Sequence, residues 1–161
     1  MNRFLGVGGI IGGLLQIFVS FVRAANDANL LETLVVIAEL GLLLGLLGIF
    51  LMYRDRISAL GTCGFLLAFL GLSFIAGPDS SLYGLSTFEI GGPVAAVGLI
   101  LLGSAQMFIS SHPKLAPVAV VVGVVALAVS QTLSGSPLVQ IVGGVSFGLG
   151  FVLYGIFLVR Q

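Results

Sequence analysis

An acidic side chain, Glu39, lies within the apolar run of residues 30–53, where its neighbours offer no obvious access to water. At a rise of about 1.5 Å per residue it lies about 14 Å along a helix that begins at Leu30, in the outer half of a hydrocarbon layer about 30 Å thick. An isolated carboxylate at that depth is unfavourable by several kcal/mol, so we expect Glu39 to be mostly protonated at neutral pH. Glu32, seven residues earlier, falls on almost the same helix face, at the level of the outer headgroups.

Two roles are open for Glu39. As a proton or cation site, it would be reached from outside the membrane through Glu32. As a structural group, it would form a hydrogen bond inside a helix bundle and fix the register of the helices. No Lys, Arg or His lies in the middle of an apolar run, so the partners predicted at its depth are amide and hydroxyl side chains: Ser20, Ser130, Gln131 and Gln140.

Other patterns with specific chemistry are missing from the sequence. The single histidine, His112, has no metal-ligating residues near it, and the single cysteine, Cys63, excludes an intrachain disulfide. P-loop, nucleophile-elbow and zinc-protease motifs do not occur. We therefore predict no cofactor and no metal, and we expect that the protein is not an enzyme. A net charge of zero is untypical of nucleic-acid binding, so no nucleic-acid partner is predicted.

The composition predicts an all-α integral membrane protein. Of the 161 residues, 58% are hydrophobic and only 7% are charged, whereas a soluble domain carries about 25% charged residues. So few charges cannot cover the surface of a soluble globule of this size, and the exterior must therefore face lipid. The apolar runs do not alternate with polar residues, as the strands of a membrane β-barrel do.

Six apolar runs approach the length of about 20 residues that a membrane-spanning helix needs. Stretches rich in Gly, Pro, Ser, Asn or charged residues separate them. The sequence therefore predicts a single transmembrane domain, a bundle of six helices over residues 4–22, 30–53, 57–76, 93–109, 115–133 and 138–159.

The basic residues predict the orientation of this bundle. With six spans, five of the six share one side of the membrane with both termini: Arg3, Arg54, Arg56, Lys114 and Arg160. Only Arg23 falls on the other side. Because basic loops stay in the cytoplasm, we predict a multi-pass protein of the cell membrane with both termini cytoplasmic.

Glycines at helical spacing predict close helix packing, since small residues let helices approach each other in lipid. The stripes in the second and sixth spans consist of Gly41, Gly45, Gly48, Gly144, Gly148 and Gly155. They favour packing inside the monomer over a dimer face. The segments GLLLGLLGIFL (41–51) and GLGFVLYGIFL (148–158) also align without gaps. This match is compatible with a parallel internal duplication and with chance in so apolar a background.

These features favour a non-catalytic membrane component. It would be an accessory or structural subunit of a larger complex, or a homo-oligomer, with the lipid bilayer and other membrane subunits or its own copies as partners. The alternative is a small proton- or cation-coupled transporter or channel that uses Glu39. A membrane enzyme is disfavoured because nucleophiles, bases and metal ligands do not cluster in the sequence.

Overall fold

The computed structural model describes residues 2–25, 28–76, 81–82, 85–109, 114–132 and 136–161. Six helices account for most of these residues: α1 Asn2–Ala25, α2 Ala28–Tyr53, α3 Ala59–Ile75, α4 Thr87–Met107, α5 Leu115–Thr132 and α6 Pro137–Val159. Two short strands, β1 Ser81–Leu82 and β2 Leu85–Ser86, pair antiparallel between α3 and α4. The predicted all-α fold class is confirmed.

The helices have the length and composition of a helical membrane protein. Among the described residues, four helical segments are long and apolar enough to cross a bilayer: Arg3–Val22, Thr33–Tyr53, Thr87–Met107 and Pro137–Val159. Two further apolar segments, Ala59–Ile75 and Leu115–Ser130, are shorter. A span of about 17 to 25 residues suffices to cross the hydrocarbon layer.

Helix α4 begins at Thr87, whereas the fourth span was predicted to begin at Pro93. The side chain of Ser86 accepts a hydrogen bond from the backbone N–H of Glu89 at 3.1 Å. A carboxylate oxygen of Glu89 accepts one from the backbone N–H of Ser86 at 2.9 Å. This capping box satisfies two backbone donors at the helix start. The helix therefore starts in the polar stretch before the apolar run, and Pro93 lies inside it.

The six described helices form two closely packed groups. One is the pair α3–α4, whose mutual contact is the most extensive in the bundle. In the other group, α1 packs against α2 and α6, and α6 packs against α5. We term this second group the four-helix unit. Contacts between the two groups, from α2 to α3 and from α4 to α5, are much sparser. We term this boundary the seam.

Within each group, glycines bring the helix backbones into direct contact. A Cβ atom added to Gly41 of α2 would lie 2.6 Å from Cα of Gly12 in α1. One added to Gly98 of α4 would meet the backbone nitrogen of Ala68 in α3. Across the seam, close contacts are made by side chains instead. The rings of Phe50 in α2 and Phe65 in α3 stack with their centroids 3.9 Å apart.

The hydrophobic core fills the seam. Its buried apolar side chains come from α2 to α6, among them Leu46, Leu72, Leu99, Val120 and Phe151. In the described part of the chain, α1 contributes none of this cluster and instead packs on the outside of α2 and α6 through its glycines. The seam is therefore the interior of the bundle, and polar groups within it are surrounded by packed apolar side chains.

Candidate functional site

Glu39 lies in the interior of the bundle, with only 6% of its surface exposed. Helix α2 buries two stripes of residues. The first contains Gly41 and Gly45 and contacts α1. The second follows the three- and four-residue spacing of one helix face and consists of Glu39, Leu42, Leu46, Ile49 and Tyr53. The last four of these belong to the core cluster, so Glu39 stands at one end of a stripe that faces the seam.

The six glycines named from the sequence lie against helix α1. A Cβ atom on any of them would meet an α1 residue at close range, in the pairs Gly41 with Gly12, Gly45 with Gly9, Gly48 with Leu5, Gly144 with Ser20, Gly148 with Gly13 and Gly155 with Gly6. Helices α2 and α6 therefore hold α1 from two sides. Because α1 occupies these stripes, they serve contacts inside the monomer.

The predicted partners of Glu39 are placed as follows. The Ser20 hydroxyl donates a hydrogen bond to the carbonyl of Gln16 at 2.8 Å. The Ser130 hydroxyl donates to the carbonyl of Leu127 at 2.7 Å. Both hydroxyls therefore donate to their own helices. Three further residues were predicted at this site: Gln140 is half-buried on α6, whereas the side chains of Glu32 and Gln131 lie outside the described part of the structure.

Glu39 itself makes a polar or electrostatic interaction within the chain. Its burial on the seam-facing stripe means that this interaction takes place among apolar neighbours, where a carboxyl group needs a partner in order to be tolerated. The acid therefore lies inside the bundle and away from its exposed surface.

A second polar cluster, which the sequence analysis did not assemble, lies at the opposite end of the seam. The hydroxyl of Tyr154 in α6 donates a hydrogen bond to the side-chain carbonyl oxygen of Gln106 in α4, and both side chains are buried. Tyr53, at the end of α2, is also buried and belongs to the same core cluster as Tyr154. We term these three residues the inner polar cluster. The sequence does contain a signal for this cluster. Each of its three residues lies near the end of an even-numbered span, and the ends of these spans share one side of the predicted bundle.

The seam is thus polar at both ends and apolar in the middle. Glu39 and Tyr53 lie on the same face of α2, about 21 Å apart along its axis at about 1.5 Å per residue. Between them this face carries only apolar side chains, those of Leu42, Leu46 and Ile49. A small cavity next to Gln106 and Tyr154 adjoins the inner polar cluster. The arrangement separates the acid from the inner polar cluster by almost four helical turns, whose seam-facing side chains are apolar.

In the described residues, no three His, Cys, Asp or Glu side chains come together as a group that could hold a metal ion. The cysteine, Cys63, is a free thiol on the exposed side of α3. Arg54 and Asp55 form an exposed ion pair with an N–O distance of 3.3 Å, in the turn between α2 and α3.

No family model, curated protein or solved structure matches the chain significantly.

Proposed function

We propose that the protein is a non-catalytic, multi-pass protein of the cell membrane that acts as an accessory or structural subunit of a membrane complex, or as a homo-oligomer. Its partners are then the lipid bilayer and either other membrane subunits or copies of itself, and no nucleic acid. The observation that carries this proposal is the two-faced character of helix α1.

One face of α1 carries glycines and is held against α2 and α6 by backbone contacts. The opposite face carries large apolar side chains, each between 45% and 71% exposed and spaced alternately three and four residues apart: Phe4, Val7, Ile11, Leu14, Phe18 and Phe21. We term this the outer α1 stripe. Its spacing keeps the side chains in line along one face, as in helices that pack side by side over their whole length. The stripe therefore supports contact with a helix of another subunit.

A photo-crosslinking amino acid in place of Leu14 should form an adduct with another protein chain in native membranes. The same replacement at Val122, which is exposed on α5, should give only lipid adducts. After gentle extraction into nanodiscs, the mass of the particle beyond its scaffold and lipid should exceed that of one 16.6 kDa chain. The extra mass should match the protein found in the Leu14 adduct. A particle containing a single chain, without a protein adduct at Leu14, would contradict this function.

We further infer that all six helices cross the bilayer and that both termini are cytoplasmic. At about 1.5 Å per residue, the 17 residues of α3 extend about 26 Å, close to the hydrocarbon thickness of about 30 Å. The basic residues support the orientation, since Arg54 and Arg56 follow α2, Lys114 precedes α5 and Arg160 follows α6. In an antiparallel succession of six spans, these positions fall on one side of the membrane.

Cysteine labelling in intact cells tests this topology. In a background carrying Cys63→Ser, a cysteine at Ser80 should react with a membrane-impermeant thiol reagent added outside. A cysteine at Gln161 should react only after the membrane is permeabilised. The Cys63→Ser parent without an added cysteine is the control. Reaction of both positions from the same side would rule out six spans.

A second function, a proton- or cation-coupled transporter or channel, is favoured by the position of Glu39. Acidic residues inside membrane bundles commonly mark ion or proton pathways. Glu39 faces the seam, where two groups of helices meet through sparser, side-chain-mediated contacts. Relative movement at such a boundary is the type of change that alternating access uses. Proton or cation flux that depends on Glu39 in liposomes would favour this function.

A further inference from the structure

The buried side chain of Gln106 has a polar atom without a hydrogen-bond partner among the described residues. The Gln106 side chain is 1% exposed, and its Oε1 atom accepts the hydrogen bond from Tyr154. Its Nε2 atom has no hydrogen-bond partner in the described part of the chain. If the amide were turned round, its oxygen instead of its nitrogen would lack a hydrogen-bond partner. In either orientation, Gln106 therefore needs one more hydrogen-bonding group beside it.

The space next to this amide suits a single small molecule. A cavity lies where α4 meets α2, α5 and α6, and Gln106 and Tyr154 are the residues with polar side chains among those that line it. Apolar side chains, including Leu46, Leu99 and Phe151, form the rest. The volume open to the centre of a water-sized sphere is about 10 Å³, which is close to the space that one buried water molecule needs.

We propose that this cavity binds one water molecule, which accepts a hydrogen bond from Nε2 of Gln106 and donates one to the hydroxyl oxygen of Tyr154. Two polar partners are the minimum that a buried water requires, whereas purely apolar cavities stay dry. The size of the cavity excludes organic ligands. The unpartnered amide N–H of Gln106 disfavours a cation next to it, because an N–H donor repels positive charge.

This water would connect the two helix groups across the seam. It would bridge α4 and α6 alongside the direct hydrogen bond between Tyr154 and Gln106. The inner end of the seam is then hydrated, while the layer around Leu42, towards Glu39, stays dry. The site goes beyond the proposed function, since it concerns how the bundle is held together whatever its partners are.

Solution NMR of the full chain in nanodiscs tests the site directly. With ¹⁵N-labelled glutamine, the Gln106 side-chain amide is assigned by its loss in Gln106→Met. It should show a cross-peak at the water frequency. The exposed Gln161 amide is the positive control, and the backbone amide of Leu42, in a ¹⁵N-leucine sample, is the negative control. A resolved Gln106 signal without a water cross-peak would show that the cavity is dry.

Exchange of the Tyr154 hydroxyl proton with water could produce the same cross-peak at the Gln106 amide. Tyr154→Phe removes that hydroxyl group. That variant also removes one of the two polar partners of the water, so the wild type itself has to distinguish a bound water from the hydroxyl. Radiolytic labelling of the wild type needs no variant. Hydroxyl radicals formed at the bound water should modify Tyr154 far faster than Phe147, which is also buried on α6. Equal, slow modification of both rings would likewise overturn the water site.

Discussion

Replacing Gly98 by alanine should destabilise the folded protein by about 3 kcal/mol, at the upper end of what overpacking a core by one methyl group commonly produces. The added Cβ would lie 2.7 Å from Cα of Ala68 and 2.7 Å from the carbonyl oxygen of Gly64, both in α3. These are backbone atoms, so no side-chain rotation relieves the overlap. Helices α3 and α4 would have to separate along their most extensive contact, with loss of packing along their whole length.

Gly92→Ala is the matched control for this prediction. It places the same methyl group in the same helix, but nothing lies within 4 Å of the position that its Cβ would take. Alanine also favours the helix over glycine by up to about 1 kcal/mol, so stability should stay the same or rise slightly. Unfolding in mixed micelles of mild detergent and dodecyl sulfate, followed by helicity, measures both variants. Equal midpoints for Gly98→Ala and Gly92→Ala would refute the role of backbone contact at Gly98.

The same geometry accounts for the two glycines that residues 41–51 and 148–158 have in common. The aligned glycines of α2 and α6 meet α1 at successive residues, in the pairs Gly41 with Gly12, Gly148 with Gly13, Gly48 with Leu5 and Gly155 with Gly6. Two helices that approach the same partner at the same heights need small residues at the same positions. This shared requirement is sufficient to produce the matching glycines, without an internal duplication.

The positions of the helices could be predicted from the sequence because apolar runs and their polar breaks are local features. The predicted ends of the second and sixth spans, at residues 53 and 159, coincide with the ends of α2 and α6. The start of α4 differs because it depends on two hydrogen bonds between Ser86 and Glu89. Such a cap extends a helix into polar sequence that hydropathy assigns to a loop.

The inward faces of the helices could not be predicted in this way. In a soluble helix, polar residues mark the outer face, but here the exposed and the core-facing residues are equally apolar. Leu40 is 52% exposed and Leu42 is 1% exposed, although both are leucines in the same run. For this reason the hydropathy pattern did not predict that Glu39 is buried, and only the chemistry of its carboxyl group did. The pairing of Gln106 with Tyr154 required knowledge of which helices meet.

The largest effect expected at the candidate site is a contrast between two substitutions of Glu39. Glu39→Gln should fold almost as the wild type does, whereas Glu39→Leu should lose about 1–3 kcal/mol of stability. The glutamine keeps the shape and a hydrogen-bonding group for the interaction that Glu39 makes within the chain. The leucine removes the polar group, so the group with which Glu39 interacts loses its partner. Unfolding midpoints in mixed micelles check this contrast, and equal stability of both variants would exclude a structural role.

A liposome flux assay then separates the structural role of Glu39 from proton or cation coupling. Under the structural role, wild type and Glu39→Gln should give the same proton and cation leak as empty liposomes. Glu89→Gln is the control for loss of an acid outside the seam, since Glu89 is exposed at the start of α4. Flux in the wild type and in Glu89→Gln, but not in a folded Glu39→Gln, would overturn the structural role. Because glutamine keeps a hydrogen-bonding group but cannot titrate, that result would assign the carried proton or the bound cation to the Glu39 carboxyl group.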